Sequence, residues 1–395
     1  MVASTHSRAA IGRNIAIALL AATPLATLWN VIAAQVAPER TIQVLRLKGV
    51  TNPAAPASWS WQSFADGTLQ AASARAVGEA PPLRPLFIRI NNEVLYTFFG
   101  EINAQDVFEG ADRQLLVTSS IEEYCSRRSE GAARKAERLI PPLRDIQSHY
   151  AGRHRIFLYV ITPSKAAHSP EYFLGRIPCA NSESDRATYL PTVVRLLRDA
   201  GINVLDAASL VHGLKGREPA DLFPRGGGHW SQLGLAHAAD AVVAELDRLA
   251  DRPLIPPMHW RYDVVDGRQK GLNADLAELM NLLVPRVRYP VPYVTYLPSP
   301  PCGDQPWTRL NVALVGTSFG DMLTDALIDG ACLTGAYAYR YMHVRHGAAG
   351  ASWRFTQASD DEAIRNADIA ILEENEGMAG EFQYVERLHA ITSQP

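Results

Sequence analysis

This sequence has no surplus of basic residues, no Cys-x-x-Cys pair, no internal repeat and only one long uncharged apolar run. Thirty-eight lysines and arginines face 41 acidic residues, a net charge of −3. A chain so balanced lacks the cationic surface that neutralises a phosphate backbone, which excludes nucleic acid as the main partner. Without a Cys-x-x-Cys pair there is no zinc-site spacing, and no metal or other cofactor is assigned. The absence of a repeat period argues against solenoids and propellers. A single apolar run excludes a protein built of several membrane spans.

That run is Ile15 to Ala34, "IAIALLAATPLATLWNVIAA". Twenty residues of helix reach about 30 Å, the thickness of a bilayer core. Arg8 and Arg13 precede it, so the positive-inside rule leaves Met1 in the cytoplasm and sends the rest outside. We expect one N-terminal transmembrane helix holding a periplasmic domain at the inner membrane; a cleaved signal peptide and a soluble periplasmic protein are the alternative. The expected divisions are 1–37 for tip and anchor, 38–110 for an extended entry region, and 111–395 for the main domain. Four cysteines in an oxidising compartment suggest disulfides. Spacing does not choose among three pairings; Cys125 with Cys179 is the expected bridge, and Cys302 with Cys332 the second.

From Gln114 onward, short Val/Ile/Leu runs alternate with helical patterns. "RIFLYVIT" (155–162), "INVLDA" (202–207), "NVALV" (311–315), "AYAYRYMHV" (336–344) and "DIAILEE" (368–374) read as strands. Val193, Leu196 and Leu197 mark one amphipathic helix, and Leu235, Ala239, Val242 and Leu246 another. Such alternation predicts an α/β fold, a parallel sheet with helices on both faces.

Ligands of such sheets sit at the carboxyl ends of the strands. "VALVGTSFGD" places Ser318 there, where a strand turns through Gly316 into a helix. That junction exposes a hydroxyl and aims backbone N–H groups at one point, as an oxyanion hole requires. "DLFPRGGGHWSQLG" holds His229 in a second loop just before a helix, with Ser231 as its N-cap. A serine hydroxyl attacks well only when a base takes its proton, and histidine is the usual base.

"ITPSKAAHSPEYF", "GGGHWSQLGLAHAADAV", "LVGTSFGDML" and "DIAILEENEG" together resemble, in this order, segments of the AlgX/AlgJ-like family of SGNH-type polysaccharide O-acetyltransferases. The resemblance covers roughly residues 80–390. It implies a circularly permuted SGNH-hydrolase-like sheet, with Ser318 as nucleophile and His229 as base. It also implies an exopolysaccharide acceptor such as alginate, and an acetyl donor delivered by an MBOAT-type membrane acyltransferase. The family's aspartate two residues before the histidine falls on Gly227. Either another acid orients the imidazole, or His229 works in a dyad, or activity is diminished. Asp206, Asp221 and Asp321 are the candidate substitutes. Asn375 is a candidate oxyanion donor, Arg345 a candidate for steering an anionic sugar, and Trp230 for stacking on a sugar ring. The rival functions are a carbohydrate acetyl-esterase and a non-catalytic polysaccharide-binding scaffold. An ordinary α/β-hydrolase would need His343, His346 or His389 as base.

Overall fold

The computed structural model describes residues 21–33, 35–42, 46–49, 59–72, 82–298, 307, 310–333, 335–340, 343–346, 354–355, 358–379 and 383–394. The chain divides into two compact units, one of residues 1–105 with 277–286, the other of 106–276 with 287–395. Residues 21–33 of the first unit are helical. Its helix Arg84–Val94 continues into a π-helical turn, Leu95–Phe99, and stops at Gly100, whose φ of 69° ends it without strain. Asn92 Nδ2 donates to Met280 O at 3.0 Å, and Asn281 pairs with both backbone groups of Lys48. No helix among the described residues is long and apolar enough to cross a membrane; the first six residues of the run Ile15–Ala34 lie outside the described residues.

The second unit holds a small antiparallel pair, β1 (Val107–Glu109) and β2 (Leu115–Val117), then α1 (Thr118–Ser126) and α2 (Ser129–Ala151). β3 (Ile156–Thr162), α3 (Glu183–Asp199), β4 (Val204–Asp206), α4 (Ala207–Gly213) and α5 (Gln232–Ala250) follow. A hairpin comes next, β5 (Trp260–Arg268) with β6 (Arg288–Tyr296), and the excursion between them contains α6 (Asp275–Leu279). The chain ends with β7 (Asn311–Val315), α7 (Ser318–Ala331), β8 (Gly335–Arg340), β9 (His343–His346), β10 (Arg354–Phe355), α8 (Ala358–Arg365), β11 (Ile369–Asn375) and α9 (Tyr384–Thr392).

Seven of these strands form one sheet in the order β10-β9-β8-β7-β11-β3-β4. The five from β8 to β4 are parallel, as the alternation predicts. The far edge is not: "AYAYRYMHV" is two strands, β8 and β9, paired antiparallel, and β10 extends that edge antiparallel again. β11, last in the chain, lies between β7 and β3, so the centre of the sheet is closed by residues far apart in sequence.

Burial on both faces follows from period-two alternation. Phe157, Tyr159 and Ile161 of β3 pack with Leu139, Leu143 and Ile146 of α2, while Leu158 and Val160 pack on the other side with α5 and α7. Cys125 on α1 is disulfide-bonded to Cys179 in the loop before α3, and Cys332 is also disulfide-bonded; Cys302 lies outside the described residues.

Candidate active site

Three neighbouring strands, β7, β11 and β3, release their chains at the same end of the sheet. Ser318, Asn375 and Lys165 stand there, and all line a cavity of about 150 Å³ with His229 and Asp275.

The serine elbow is built around a buried carboxylate. Glu373 of β11 is 0% exposed and accepts from Thr317 N at 2.8 Å, Gly320 N at 3.0 Å and the Thr317 and Thr162 hydroxyls. Burial pushes its carboxyl upward, against these donors. Gly316 and Gly320 exist to admit it. A Cβ on Gly316 would lie 2.6 Å from Glu373 O, and one on Gly320 2.8 Å from Glu373 Oε2. Thr317 caps α7 by accepting from Phe319 N at 3.2 Å. Glu373 and Thr317 thus consume the N–H groups on both sides of Ser318. The Ser318 N–H itself has no acceptor among the described residues and remains for a ligand.

His229 sits on the loop 221–230. Lys165, buried, holds that loop by donating from Nζ to Pro224 O (2.6 Å), Arg225 O (3.1 Å) and Gly227 O (3.0 Å). Burial pulls the Lys165 ammonium down to about 7, with Asp275 and Asp221 pulling it upward. The result is a linear constellation. His229 Nε2 lies 2.6 Å from Ser318 Oγ, and His229 Nδ1 lies 2.6 Å from Asp275 Oδ2. The other carboxylate oxygen, Asp275 Oδ1, accepts from Gly228 N and Leu276 N, both at 2.9 Å. One aspartate therefore fixes the imidazole and the loop backbone together.

The orienting acid is thus none of the three expected from the sequence. Asp206 caps α4 and accepts from Ser209 N at 2.8 Å. Asp321 sits in the first turn of α7. Asp221, at the start of the His229 loop, is exposed and borders a different cavity. Asp275 comes from the excursion between β5 and β6, 46 residues beyond His229. The only local sign of it is an acidic residue opening a short helix in "NADLAE".

The glycine run is not there for left-handed backbone. None of Gly226, Gly227 and Gly228 has positive φ. Gly227 is needed for space, since a Cβ there would lie 2.5 Å from Leu272 O and 2.8 Å from Pro224 Cγ. Gly227→Asp should accordingly destabilise the domain by about 1–3 kcal/mol, seen as a lower thermal midpoint. An unchanged midpoint would show that the loop can yield.

Trp230 is fully buried, 5.3 Å from the Phe319 ring, so it packs the loop and offers no face to a sugar. Asn375 Nδ2 donates to Pro163 O at 2.7 Å and its Oδ1 accepts from Gly377 N at 3.1 Å, which leaves one amide hydrogen at the cavity wall. Arg345 falls on β9, whose side chains lie outside the described residues.

Residues 107–327, 221 of 395, match the family model described as the SGNH hydrolase-like domain of the acetyltransferase AlgX, a span that includes His229, Asp275 and Ser318. Among solved structures, the chain is similar to the O-acetyltransferase domain of Pseudomonas putida AlgJ, at 18% identity and a TM-score of 0.44, covering 72% of this chain and 98% of that one. It is also similar to Pseudomonas aeruginosa AlgX, at 15% identity and a TM-score of 0.44, covering 75% and 71%. No curated protein matches the chain. On the strength of the matched span, the chain belongs to the family of SGNH hydrolase-like domains of the acetyltransferase AlgX.

Proposed function

We propose that Ser318, His229 and Asp275 form a nucleophile, base and acid that move an acetyl group onto a hydroxyl of an exopolysaccharide. The observation that carries this reading is the pair of 2.6 Å contacts linking Ser318 Oγ, both ring nitrogens of His229 and Asp275 Oδ2. With Nδ1–H donated to the carboxylate, Nε2 carries the lone pair and accepts the serine proton.

Ser318 Oγ attacks the acetyl carbonyl carbon as His229 Nε2 takes its proton. The carbonyl oxygen becomes an oxyanion held by the Ser318 N–H and the remaining amide hydrogen of Asn375. The oxyanion collapses, the donor's leaving oxygen takes the proton from the imidazolium, and an acetyl-serine remains. A sugar hydroxyl then gives its proton to Nε2 and attacks the acetyl carbon. Collapse of the second oxyanion frees Ser318 Oγ, which recovers the proton. Lys165 contributes by fixing the loop that carries the base. The donor would be supplied by an MBOAT-type membrane acyltransferase, and the domain would work in the periplasm. The uncharged run Ile15–Ala34 and its exposed Leu25, Leu28, Trp29, Val31 and Ile32 support an N-terminal membrane anchor.

The test is to supply a chromogenic acetyl ester with and without an acceptor glycan, using polymannuronate and neutral hexasaccharides in turn. Transfer predicts acetylated glycan by mass spectrometry, with released acetate falling as acceptor rises. Acetate alone, at any acceptor concentration, would identify an esterase, and no turnover would leave a scaffold.

A further inference from the structure

Behind Lys165 lies a second cavity of about 280 Å³, near the lower end of the size range of small-molecule sites. Lys165 borders both this cavity and the Ser318 cavity. The wall formed by Asp221, Leu222 and Phe223 runs directly into the loop that carries His229. Nothing in the reaction derived above uses this space.

Its lining contains an unmet acceptor. Gln114 is 5% exposed, and its Oε1 is buried with no hydrogen-bond partner. A buried carbonyl without a donor is costly, and each such group in a folded protein calls for an explanation.

The other free groups in the cavity share that polarity. His168 Nδ1 is taken by His212 Nδ1 at 3.2 Å, and His212 Nε2 by Glu376 at 2.8 Å, so only Nε2 of His168 is without a protein partner. Burial pulls His168 down to about 3, so it is neutral. The cations are engaged. Lys165 spends its three N–H groups on three loop carbonyls, and Lys215 pairs with Glu171 at 2.6 Å and with His168 O at 2.7 Å. Asp221 makes no hydrogen bond or ion pair among the described residues and acts on Lys165 only at a distance, so its carboxylate oxygens are open to accept. A ligand matched to this lining presents several hydroxyl donors and no anionic group. The partly exposed Tyr172 ring offers it an apolar side.

We propose that this cavity is a subsite for a neutral, hydroxyl-rich sugar residue, bound through Gln114 Oε1, Asp221 and His168 beside the loop that carries His229. The identification of that sugar as part of the acceptor rests on the acetyl-transfer reading. The 150 Å³ space at Ser318 suits the acetyl group and one hydroxyl, so an acceptor chain needs a further hold nearby.

Calorimetric titration of the full chain with cellohexaose, mannohexaose, chitohexaose and hexamannuronate tests the subsite, with acceptor-free acetyl-ester turnover measured alongside. At least one neutral hexasaccharide should bind at least 10-fold tighter than hexamannuronate. Gln114→Leu should weaken that binding about 10-fold and leave ester turnover within twofold of wild type, and Asp221→Ala should separately weaken the binding about 10-fold. No binding by any neutral sugar, equal binding by both variants, or preference for the anionic sugar would overturn the subsite. Ester turnover without sugar binding would leave the acetyl-transfer reading standing and remove this one. Gln114-dependent binding in a chain with no ester turnover would do the reverse.

Discussion

Ser318→Ala should lower acetyl-ester turnover by about 10⁶-fold, the scale seen when a triad serine is removed, and leave the fold intact. The size follows from what the hydroxyl does. It is the only atom 2.6 Å from His229 Nε2, and no other nucleophile reaches that nitrogen among the described residues. The fold should tolerate the change because the elbow does not depend on the serine side chain. Thr317 caps the helix, and Glu373 ties the elbow to β11 through Thr317 and Gly320. Alanine removes one oxygen from a partly exposed position and adds no volume. Initial rates with a chromogenic acetyl ester, beside thermal midpoints of both proteins, check the two halves. A folded variant that retains even a hundredth of the rate would mean that Ser318 is not the nucleophile.

Sequence periodicity located the parallel sheet and the two loop-to-helix junctions because burial on both faces forces those signals into short, local windows. Ser318 and His229 were legible for the same reason, since each is flagged by its own strand end, glycine and helix start. Asp275 was not. Its partner is 46 residues away and the link is made by a hairpin excursion. Local pattern does not encode which carboxylate a histidine will meet across such a gap. The Gly-Gly-Gly run shows the same limit. At Gly227 the need is clearance from Leu272 O, a contact from that excursion, and sequence shows only that a side chain is missing. Trp230 beside the histidine suggested a sugar platform, yet an indole next to a helix start is equally suited to fill the space under Phe319, and burial decided for that. Lys165 stood in a recognised Pro-Ser-Lys stretch, but its three carbonyl partners lie about 60 residues on, out of reach of any local reading. The split of β8 from β9 was hidden because a tight antiparallel return needs no break in apolar character.

Asp275→Asn should reduce turnover by about 10⁴-fold with little change in stability. The direction is set by the backbone. Oδ1 accepts from two N–H groups, Gly228 and Leu276, each at 2.9 Å. An asparagine in this position must keep its carbonyl oxygen on those donors, because turning it would set an NH₂ against two N–H groups. Its amide nitrogen is then forced to face His229 Nδ1, where Oδ2 stood at 2.6 Å. Two donors cannot share that contact, so Nδ1 must become the acceptor and the ring proton moves to Nε2. In this tautomer the ring donates to Ser318 Oγ and has no lone pair with which to take the serine proton. The positive charge that develops on the imidazole during attack also loses its counter-charge. Asp275→Ala should cost stability as well, since it strips both backbone N–H groups of their acceptor. Nor should Gly227→Asp restore the rate of the Asp275→Asn chain, because a side chain at position 227 meets Leu272 O before it can reach the ring. The measurements are the pH–rate profiles of wild type, Asp275→Asn and the double variant at matched thermal stability. A rate for Asp275→Asn within tenfold of wild type would show that the histidine is oriented by something other than this carboxylate. A rescue by Gly227→Asp would show that the loop can rebuild the acid two residues before its base.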